Sequence, residues 1–350
     1  MGGTQKYGRA VQGLHDGPPV VSLLNKLEKL MRTAGIGEIN FERKLVAIKM
    51  HFGEPGNLAF LRPNYAKVVA DVVKSLGGVP FLTDCNTLYP GRRKNALEHL
   101  DAAYENGFSP LSTGCQVIIG DGLRGNDDVE VPVEGAEYIQ TAKIGKAIME
   151  ADVIISLSHF KGHEQTGFGG AIKNLGMGCG SRRGKMEQHA QGKPMVAPRR
   201  CVGCRRCATQ CAHGAITFGE DRKASIDWDK CVGCGRCIAV CNTDAIRPGN
   251  DAAMAEYAKA VVDGRPQFHI SLVIDVSPYC DCHGENDLPI VPDVGMFASF
   301  DPVALDQACA DACGKQSPIP GSHLDEQMHR EGFCDKHDHF INSMPDTDWR

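Results

Sequence analysis

The stretch LVAIKMHFGEPGNLAFLRPNYAKVVADVVKSLGGVPFL, residues 45–82, contains a complete strand–helix–strand pattern. It opens with the apolar run 45–48, continues with a helix led by Pro63 whose apolar residues share one face, and returns to an apolar run at 79–82. Gly77-Gly78 ends the helix. Two short apolar runs joined by a helix are typical of parallel strands with a crossover, so this stretch predicts an α/β fold.

The same alternation continues outward from this unit. An amphipathic helix precedes it, and Gly35 stops that helix. Strand-like runs follow at 117–119, 153–155 and 270–274, with helical stretches near 92–105 and 138–150 and a helix capped by Asp301. We therefore predict an α/β domain with a mostly parallel sheet flanked by helices.

Composition excludes several classes of protein. The 350 residues are 42% hydrophobic and 23% charged with a net charge of -5, which argues against collagen-like, fibrous and disordered chains. No apolar run approaches the ~20 residues of a membrane helix, and the N-terminus lacks a signal pattern. The mildly acidic balance gives no footprint for nucleic acid. We expect a cytoplasmic protein with no membrane and no nucleic-acid partner, and the oligomeric state stays open.

Sixteen cysteines in a chain without an export signal favour metal ligation over disulfides. Eight of them form two C-x2-C-x2-C-x3-C repeats, at 201–211 and 231–241. This is the spacing of bacterial two-cluster ferredoxins, in which the fourth cysteine of each repeat ligates the other cluster. The predicted [4Fe-4S] ligand sets are Cys201, Cys204, Cys207 and Cys241 for one cluster, and Cys231, Cys234, Cys237 and Cys211 for the second. The alternative is a zinc ribbon.

The cysteine repeats divide the chain. Hydrophobic periodicity fades between two prolines that flank them, so we predict an inserted ferredoxin-like module at 198–249. The α/β domain would then be discontinuous, with a first part at 1–197 and a second at 250–350.

Ionisable side chains follow the predicted strands. Because ligands of open parallel sheets bind beyond the carboxyl ends of the strands, we expect a shared small-molecule pocket there, although each end taken singly reads as a capped turn. The candidate catalytic residues are His51, Asp84, Lys161, His163, Lys173 and His189. Asp121 and Asp275 end two further strands.

A glycine-rich run spans residues 167–180. Such glycines allow close backbone approach to a ligand, and a helix starting near Gly169 would direct N–H groups at an anion, so Gly169, Gly170 and Asn174 are candidate cofactor-binding residues. A tight loop packed against the insert explains the glycines equally well. Lys173 is predicted to be a neutral, nucleophilic amine, and the alternative is that it neutralises a nearby carboxylate.

Two smaller cysteine groups remain. Cys280, Cys282 and His283 lie within four residues and could hold a third metal, which the sequence leaves open. Cys309 and Cys313 stand one helical turn apart and are predicted to be buried small hydrophobes. A further metal or small-molecule cofactor in the crevice is therefore an open expectation.

Several motifs together resemble the ferredoxin-bearing iron–sulfur center proteins of domain-of-unknown-function family 362. They are Lys49 to Glu54, Thr83 to Thr87, Ser158 to Glu164, Gly167 to Gly180, Asp275 to Pro278 and Asp301 to Ala304. The resemblance covers essentially the whole chain and implies anaerobic, cytoplasmic proteins with two [4Fe-4S] clusters, without assigning a reaction. It also implies that related chains continue past the last residues of this one.

A fainter, local resemblance links Gly167 to Lys173, with His189 sixteen residues on, to nickel-pincer lactate racemases. In that family a lysine tethers the cofactor and a later histidine approaches the metal, so the resemblance makes Lys173 and His189 the matching positions. Those racemases have no ferredoxin insert.

These features predict an iron–sulfur redox protein whose two clusters exchange single electrons between a redox partner protein and a small-molecule site in the α/β crevice. One alternative is an electron-carrier or docking subunit without chemistry of its own. Another is a redox-neutral isomerase or racemase whose clusters are structural. The sequence does not decide whether the chain is an enzyme, and it gives neither the substrate nor the cluster potentials.

Overall fold

The computed structural model describes residues 21–88, 91–191, 194–231, 237, 240–243, 245–247, 252–284, 286, 288–345, 347 and 349. Within them the strands are β1 (Leu45–Lys49), β2 (Val79–Asp84), β3 (Gln116–Ile119), β4 (Asp128–Pro132), β5 (Thr141–Gly145), β6 (Val153–His159), β7 (Lys161–His163), β8 (Gly167–Gly169), β9 (Met195–Val196), β10 (Ile216–Phe218), β11 (Ala224–Ile226), β12 (Ile246–Arg247), β13 (Gln267–Val273) and β14 (Gly295–Ser299).

The helices are α1 (Leu23–Thr33), α2 (Pro63–Ser75), α3 (Ala96–Glu105), α4 (Pro110–Thr113), α5 (Lys146–Glu150), α6 (Ala171–Cys179), α7 (Arg182–Gln191), α8 (Arg206–Gln210), α9 (Ala252–Val262), α10 (Pro302–Gly314), α11 (His323–Met328) and α12 (His339–Ser343). A 3-10 turn covers Ile36–Glu38, directly after Gly35, whose φ of 94° is left-handed.

A six-stranded sheet in the order β14-β13-β6-β1-β2-β3 forms the centre of the fold. Its strands are parallel except β14, which runs antiparallel to β13 at the edge. The chain moves from β1 to β2 and β3 on one side and continues on the other side with β6. A change of direction of this kind opens a crevice at the carboxyl ends of the strands.

Helices cover both faces of the sheet, which explains the continuous apolar runs of its strands. On one face Val46 and Ile48 pack with apolar residues of α1 and α2, such as Leu27 and Val69. On the other face Ala47 packs with residues of α6 and α9. The predicted α/β class with a mostly parallel sheet flanked by helices is confirmed.

One predicted helix is wrong in its first half. Residues 141–145 form β5, which pairs antiparallel with β4, and the helix is limited to Lys146–Glu150. Ala142 and Ile144 are both fully buried, and this alternation is the period of a strand rather than of a helix. The other predicted helix begins at Ala96, where the Asn95 side chain accepts the Leu97 and Glu98 N–H groups.

The cysteine-rich region contains two small antiparallel pairs, β9 with β12 and β10 with β11. The second pair is a hairpin between the two cysteine repeats. The central strands β6 and β13, which are neighbours in the sheet, come from opposite sides of this region. Module boundaries at 198 and 249 stay a prediction.

Candidate functional site

A cavity of about 80 Å³ lies at the carboxyl ends of β1, β2 and β6. Five cationic side chains line it, together with one carboxylate, that of Asp84. The cations are Lys49, Arg93, Lys161, Lys173 and Lys185. The polar lining is completed by His51, Thr87, His159, Asn174 and three cysteines, Cys85, Cys280 and Cys282. Cations outnumber carboxylates in the lining itself, which suits an anionic ligand, while the carboxylates of Glu54 and Asp281 lie behind Arg93 and Lys161.

The last residue of β1 and the last residue of β2 form a buried ion pair. Lys49 Nζ lies 3.0 Å from Asp84 Oδ1. Burial alone would raise the pKa of Asp84, but Lys49 and the neighbouring His99 hold it well below its usual range. Asn174 fixes the lysine from the other side, since its Oδ1 accepts from Lys49 Nζ at 2.8 Å and its Nδ2 donates to the Lys49 carbonyl. Asn174 is thus a positioning residue for Lys49.

Arg93 closes a second wall of the cavity. Its Nε donates to Glu54 Oε2 at 2.8 Å, and its Nη1 lies 2.8 Å from His51 Nε2. The other ring nitrogen of His51 accepts the Gly53 N–H at 2.9 Å. Burial, and next the charge of Arg93, lower the pKa of His51 well below its ordinary value. His51 is therefore a neutral ring at the cavity wall.

A third wall is built around Asp281, which is fully buried. Its Oδ1 lies 2.7 Å from His159 Nδ1, and its Oδ2 lies 3.5 Å from Lys161 Nζ. His159 Nε2 lies 2.8 Å from the Ile274 carbonyl. Burial raises the pKa of Asp281, but His159 and Lys161 together keep it well below the usual range. The carboxylate is consequently charged and holds Lys161 at the cavity.

Lys173 contacts a thiol instead of a carboxylate. Its Nζ lies 3.0 Å from Cys280 Sγ. Burial would lower the pKa of Lys173, but the charges of Cys280, Cys282 and Glu164 raise it above the ordinary value. This direction is opposite to the one expected for the predicted neutral amine. The alternative, a lysine that neutralises a carboxylate such as Asp84 or Glu164, holds in part, because the charge of Glu164 contributes while the direct contact is the Cys280 sulfur. Lys173 is an ammonium group.

His163 lies beside the same sulfur. Its Nδ1 accepts the backbone N–H groups of Gln165 and Thr166, each at 3.2 Å, which places the ring proton on Nε2. The pKa of Cys280 lies well below its ordinary value, although burial opposes this shift. The largest influence that lowers it is a hydrogen bond from Cys282, followed by the charge of Lys173 and a hydrogen bond from His163.

The glycine-rich run serves packing inside the protein. The first N–H groups of α6 donate to Asp306, from Ala171 at 2.6 Å and from Ile172 at 2.9 Å, so the expected anion at this helix end is a side chain of the chain itself. A Cβ on Gly170 would lie 2.2 Å from Asp306 Oδ1. A Cβ on Gly169 would lie 3.0 Å from Lys173 Cδ. Both glycines therefore make room for neighbouring side chains.

Most of the predicted site residues converge on this cavity. His51, Asp84, Lys161, Lys173 and Asn174 line it. His163 reaches it through Cys280, and His189 on α7 is buried close enough to Lys173 and Lys185 that burial, and then their charges, lower its pKa to about 4.

Two predicted strand-end residues, Asp121 and Asp275, are not among the residues that line the cavity. Asp121 accepts from the backbone and side-chain nitrogens of Asn86, and Asp275 faces Arg62. Sequence reasoning missed Arg93 and Lys185 because neither follows a strand. It also missed Asp306, for which the sequence indicated only a position near the start of the helix that Asp301 caps.

Five cysteines of the repeats gather around a small apolar core, whereas Cys204 is exposed. Cys201, Cys207 and Cys237 are buried in it with Ile216, and Cys211 and Cys241 pack against it. The Cys201 sulfur accepts the Ala224 N–H at 3.4 Å, and the Cys211 sulfur accepts the Ala215 N–H at 3.3 Å. Cys234 lies outside the described residues.

Cys309 and Cys313 are fully buried in an apolar cluster, as predicted. Burial raises the pKa of both thiols.

The sequence matches the family described as Domain of unknown function (DUF362) over residues 46–311, most of its length. The chain belongs to the DUF362 family. The thylakoid-associated protein sll1697 of Synechocystis sp. is 29% identical to this DUF362 chain over 163 residues, which are 45% of the chain and 46% of that protein. The chain thus spans about half the length of this curated relative.

Solved structures similar to the DUF362 chain include the lactate racemase apoprotein of Thermoanaerobacterium thermosaccharolyticum. It aligns with a TM-score of 0.45 at 11% identity, over 83% of this chain and 56% of that one. A protein from Thermotoga maritima aligns with a TM-score of 0.44 at 12% identity, over 89% and 60% of the two chains. Across the described part of the DUF362 chain, every helix is too short or too polar to cross a membrane.

Proposed function

We propose that this DUF362 protein is an iron–sulfur redox protein that holds two [4Fe-4S] clusters and acts on a small anionic molecule in the α/β cavity. The arrangement of the cysteines carries the first half of the proposal. Five of their side chains share one apolar core, and backbone N–H groups point at the sulfurs of Cys201 and Cys211. Such donors stabilise the thiolate form that ligation requires.

Cys241 shows the same fit. Burial would raise its pKa, but hydrogen bonds from the Thr243 backbone and side chain, and then from the Ile246 and Ala245 backbone, lower it below the ordinary value. A thiol prepared in this way binds metal at neutral pH without a large cost of deprotonation. The proposed ligands are Cys201, Cys204, Cys207 and Cys241 for one cluster and Cys231, Cys234, Cys237 and Cys211 for the other. When bound, the clusters supply single-electron transfer.

The cavity supports the second half of the proposal. Lys49, Lys161 and Lys173 are each fixed by a buried or partly buried partner, so their ammonium groups are positioned before any ligand enters. An anion bound among them would receive hydrogen bonds from several directions, and the ammonium group of Lys173, whose pKa is raised, would stabilise an oxygen that gains charge without giving up its proton.

One helix links the cavity to the cysteines along the chain. Lys185, which lines the cavity, and His189 both belong to α7, and the cysteine-rich region starts with β9 a few residues later. Trp228 in that region donates to the Pro194 carbonyl at 3.3 Å. This proximity in the chain favours a function that couples the two parts over a carrier that uses the clusters alone.

Metal analysis tests the clusters. Protein purified without oxygen should contain about eight irons and eight sulfides per chain. Cys241→Ser should damage the cluster held by Cys201, Cys204 and Cys207, whereas Cys334→Ser, at an exposed thiol elsewhere, should leave the iron content unchanged. Two zinc ions and no iron would overturn the proposal in favour of a zinc ribbon.

Ligand binding tests the cavity. Phosphate, acetate and succinate should raise the melting temperature of the cluster-loaded protein, because a ligand at 100 times its Kd stabilises by about 2.7 kcal/mol. Lys173→Met should abolish the effect of the anion that binds best, and Lys67→Met, at an exposed lysine on α2, should preserve it. If none of the anions stabilises the wild-type protein, the electron-carrier alternative is the better description.

A further inference from the structure

Three side chains from two loops meet beside the cavity. They are Glu164, in the turn between β7 and β8, and Cys282 and His283, in the loop after β13. One ligand atom from each lies within 4.8 Å of the other two. Glu164 Oε1 lies 3.2 Å from His283 Nε2. We propose that this triad, which is separate from the cluster cysteines, binds one divalent transition metal ion, and that zinc is a suitable probe for it.

The donor types favour such an ion. Cys282 is a thiol that donates to Cys280, and it would release that proton to solvent when it binds the ion. The resulting thiolate, together with an imidazole and a carboxylate, suits a borderline metal such as Zn²⁺ and does not suit Ca²⁺ or Mg²⁺, which prefer oxygen donors alone. Two ligand atoms about 2.0–2.2 Å from a tetrahedral zinc ion lie roughly 3.3 Å apart, close to the separation of the histidine and glutamate atoms. The Cys282 sulfur lies within 4.8 Å of both atoms.

One atom of the triad lacks a partner in the part of the chain that the structure describes. Glu164 Oε2 is buried and makes no hydrogen bond. Leaving a carboxylate oxygen unsatisfied costs free energy, and an ion bound to Glu164 would satisfy it. A plain ion pair between Glu164 and His283 would use Oε1 only.

The loop is braced before any ion arrives. Asn286 donates to the carbonyls of Tyr279 and Cys280, and the Asp281 carbonyl accepts the Glu54 N–H at 3.0 Å. The His283 N–H donates to the Cys280 carbonyl at 3.0 Å. Backbone bonds of this kind hold Cys282 and His283 in place, as the second shell of a metal site does.

The position of the triad gives the ion a role. Cys282 also lines the cavity, so the ion would border the space that holds the anion. Three protein ligands leave one position of a tetrahedral ion open, which is the arrangement of catalytic rather than structural zinc sites. We therefore assign the triad to the class of metal sites in which one coordination position is exchangeable and faces a ligand, here the proposed anion.

Zinc binding to the cluster-loaded protein tests the proposal. Titration without oxygen, followed by desalting and metal analysis, should give one zinc per chain with the iron content unchanged. X-ray absorption at the zinc edge should show sulfur near 2.3 Å with nitrogen and oxygen near 2.0–2.2 Å. His283→Ala and Glu164→Gln should each weaken zinc binding by more than about 100-fold, beyond the 10–100-fold typical of outer-shell changes. His337→Ala, at an exposed histidine, is the control.

Two results would overturn the site. Zinc surrounded by sulfur alone, and unaffected by His283→Ala, would place the ion on the cluster cysteines. Absence of retained zinc in the wild-type protein would reduce the triad to a hydrogen-bonded pair beside a thiol. Because iron and sulfide are counted in the same samples, failure of the clusters is distinguished from failure of this site.

Discussion

Asp306 should make the stability of the protein depend on pH. This carboxyl is buried at the N-terminus of α6, and burial raises its pKa to about 7 even though two backbone N–H groups oppose the shift. In an unfolded chain an aspartate titrates near 3.9. The folded state therefore binds the proton more tightly than the unfolded state does, and its stabilising effect is complete below pH 4 and is lost as the pH rises through 7.

The size of the effect follows from these two values. Between pH 5 and pH 8 the unfolded chain is already deprotonated, while the folded protein gives up its proton only near pH 7. Integrating the difference predicts a loss of about 3 kcal/mol in the free energy of unfolding over that range.

Asp306→Asn isolates this contribution. Asparagine is nearly isosteric, keeps one acceptor oxygen for the helix N–H groups and does not titrate. The free energy of unfolding of both proteins is measured with guanidinium, without oxygen, at several pH values. Its decrease from pH 5 to pH 8 should be about 3 kcal/mol smaller for the variant than for the wild-type protein. Parallel pH profiles for the two proteins would refute the reasoning. Asp152→Asn, at an exposed carboxylate, controls for a general change of charge.

Two further substitutions test the packing and charge around the cavity. Gly176→Ala would place a Cβ 2.1 Å from the Met254 carbonyl oxygen, so α6 and α9 must separate. We expect this substitution to lower the free energy of unfolding by about 3 kcal/mol or more. The control is Gly314→Ala, which should change it little because a Cβ there meets no atom within 4 Å. Lys49→Met leaves Asp84 buried with weaker partners, and should cost about 3 kcal/mol in the same denaturation assay, while Lys44→Met, at an exposed pair, should cost under about 1 kcal/mol. Equal losses for a substitution and its control would contradict either account.

Sequence periodicity was sufficient for the sheet because its strands are buried on both faces. The runs at 45–48, 79–82 and 153–155 all lie within central strands. The prediction from periodicity failed at β5. That strand leads directly into the short helix α5, so the two-residue period of the strand and the 3.6-residue period of the helix follow each other without a break. Periodicity also failed to predict β14, an antiparallel edge strand placed by its pairing with β13 rather than by a turn signal.

The candidate site was predictable only in part, for a similar reason. Residues that end a strand, such as Asp84, are placed by the topology of the sheet, so their convergence could be expected from the sequence. Arg93 enters the cavity from a loop, and Asp281 holds Lys161 from another loop behind the lining; their positions depend on long-range contacts such as the pair between Arg93 and Glu54. Lys173 lines the cavity, but its charge depends on Cys280, which lies 107 residues away.

The pairing of β6 with β13 sets an order of events during synthesis of the chain. His159 ends β6, and β13 begins 108 positions later, at Gln267. At ribosomal rates of about 5–20 residues per second, roughly 5–20 s pass between the synthesis of β6 and the start of synthesis of β13. Throughout that interval the outer edge of β6 has unpaired N–H and C=O groups, which are open to wrong strand partners. The cysteines at 201–241 are all translated within this interval. If the proposed clusters were loaded during synthesis, iron and sulfide would meet their ligands beside a half-built sheet, and cluster loading would compete in time with the completion of the fold.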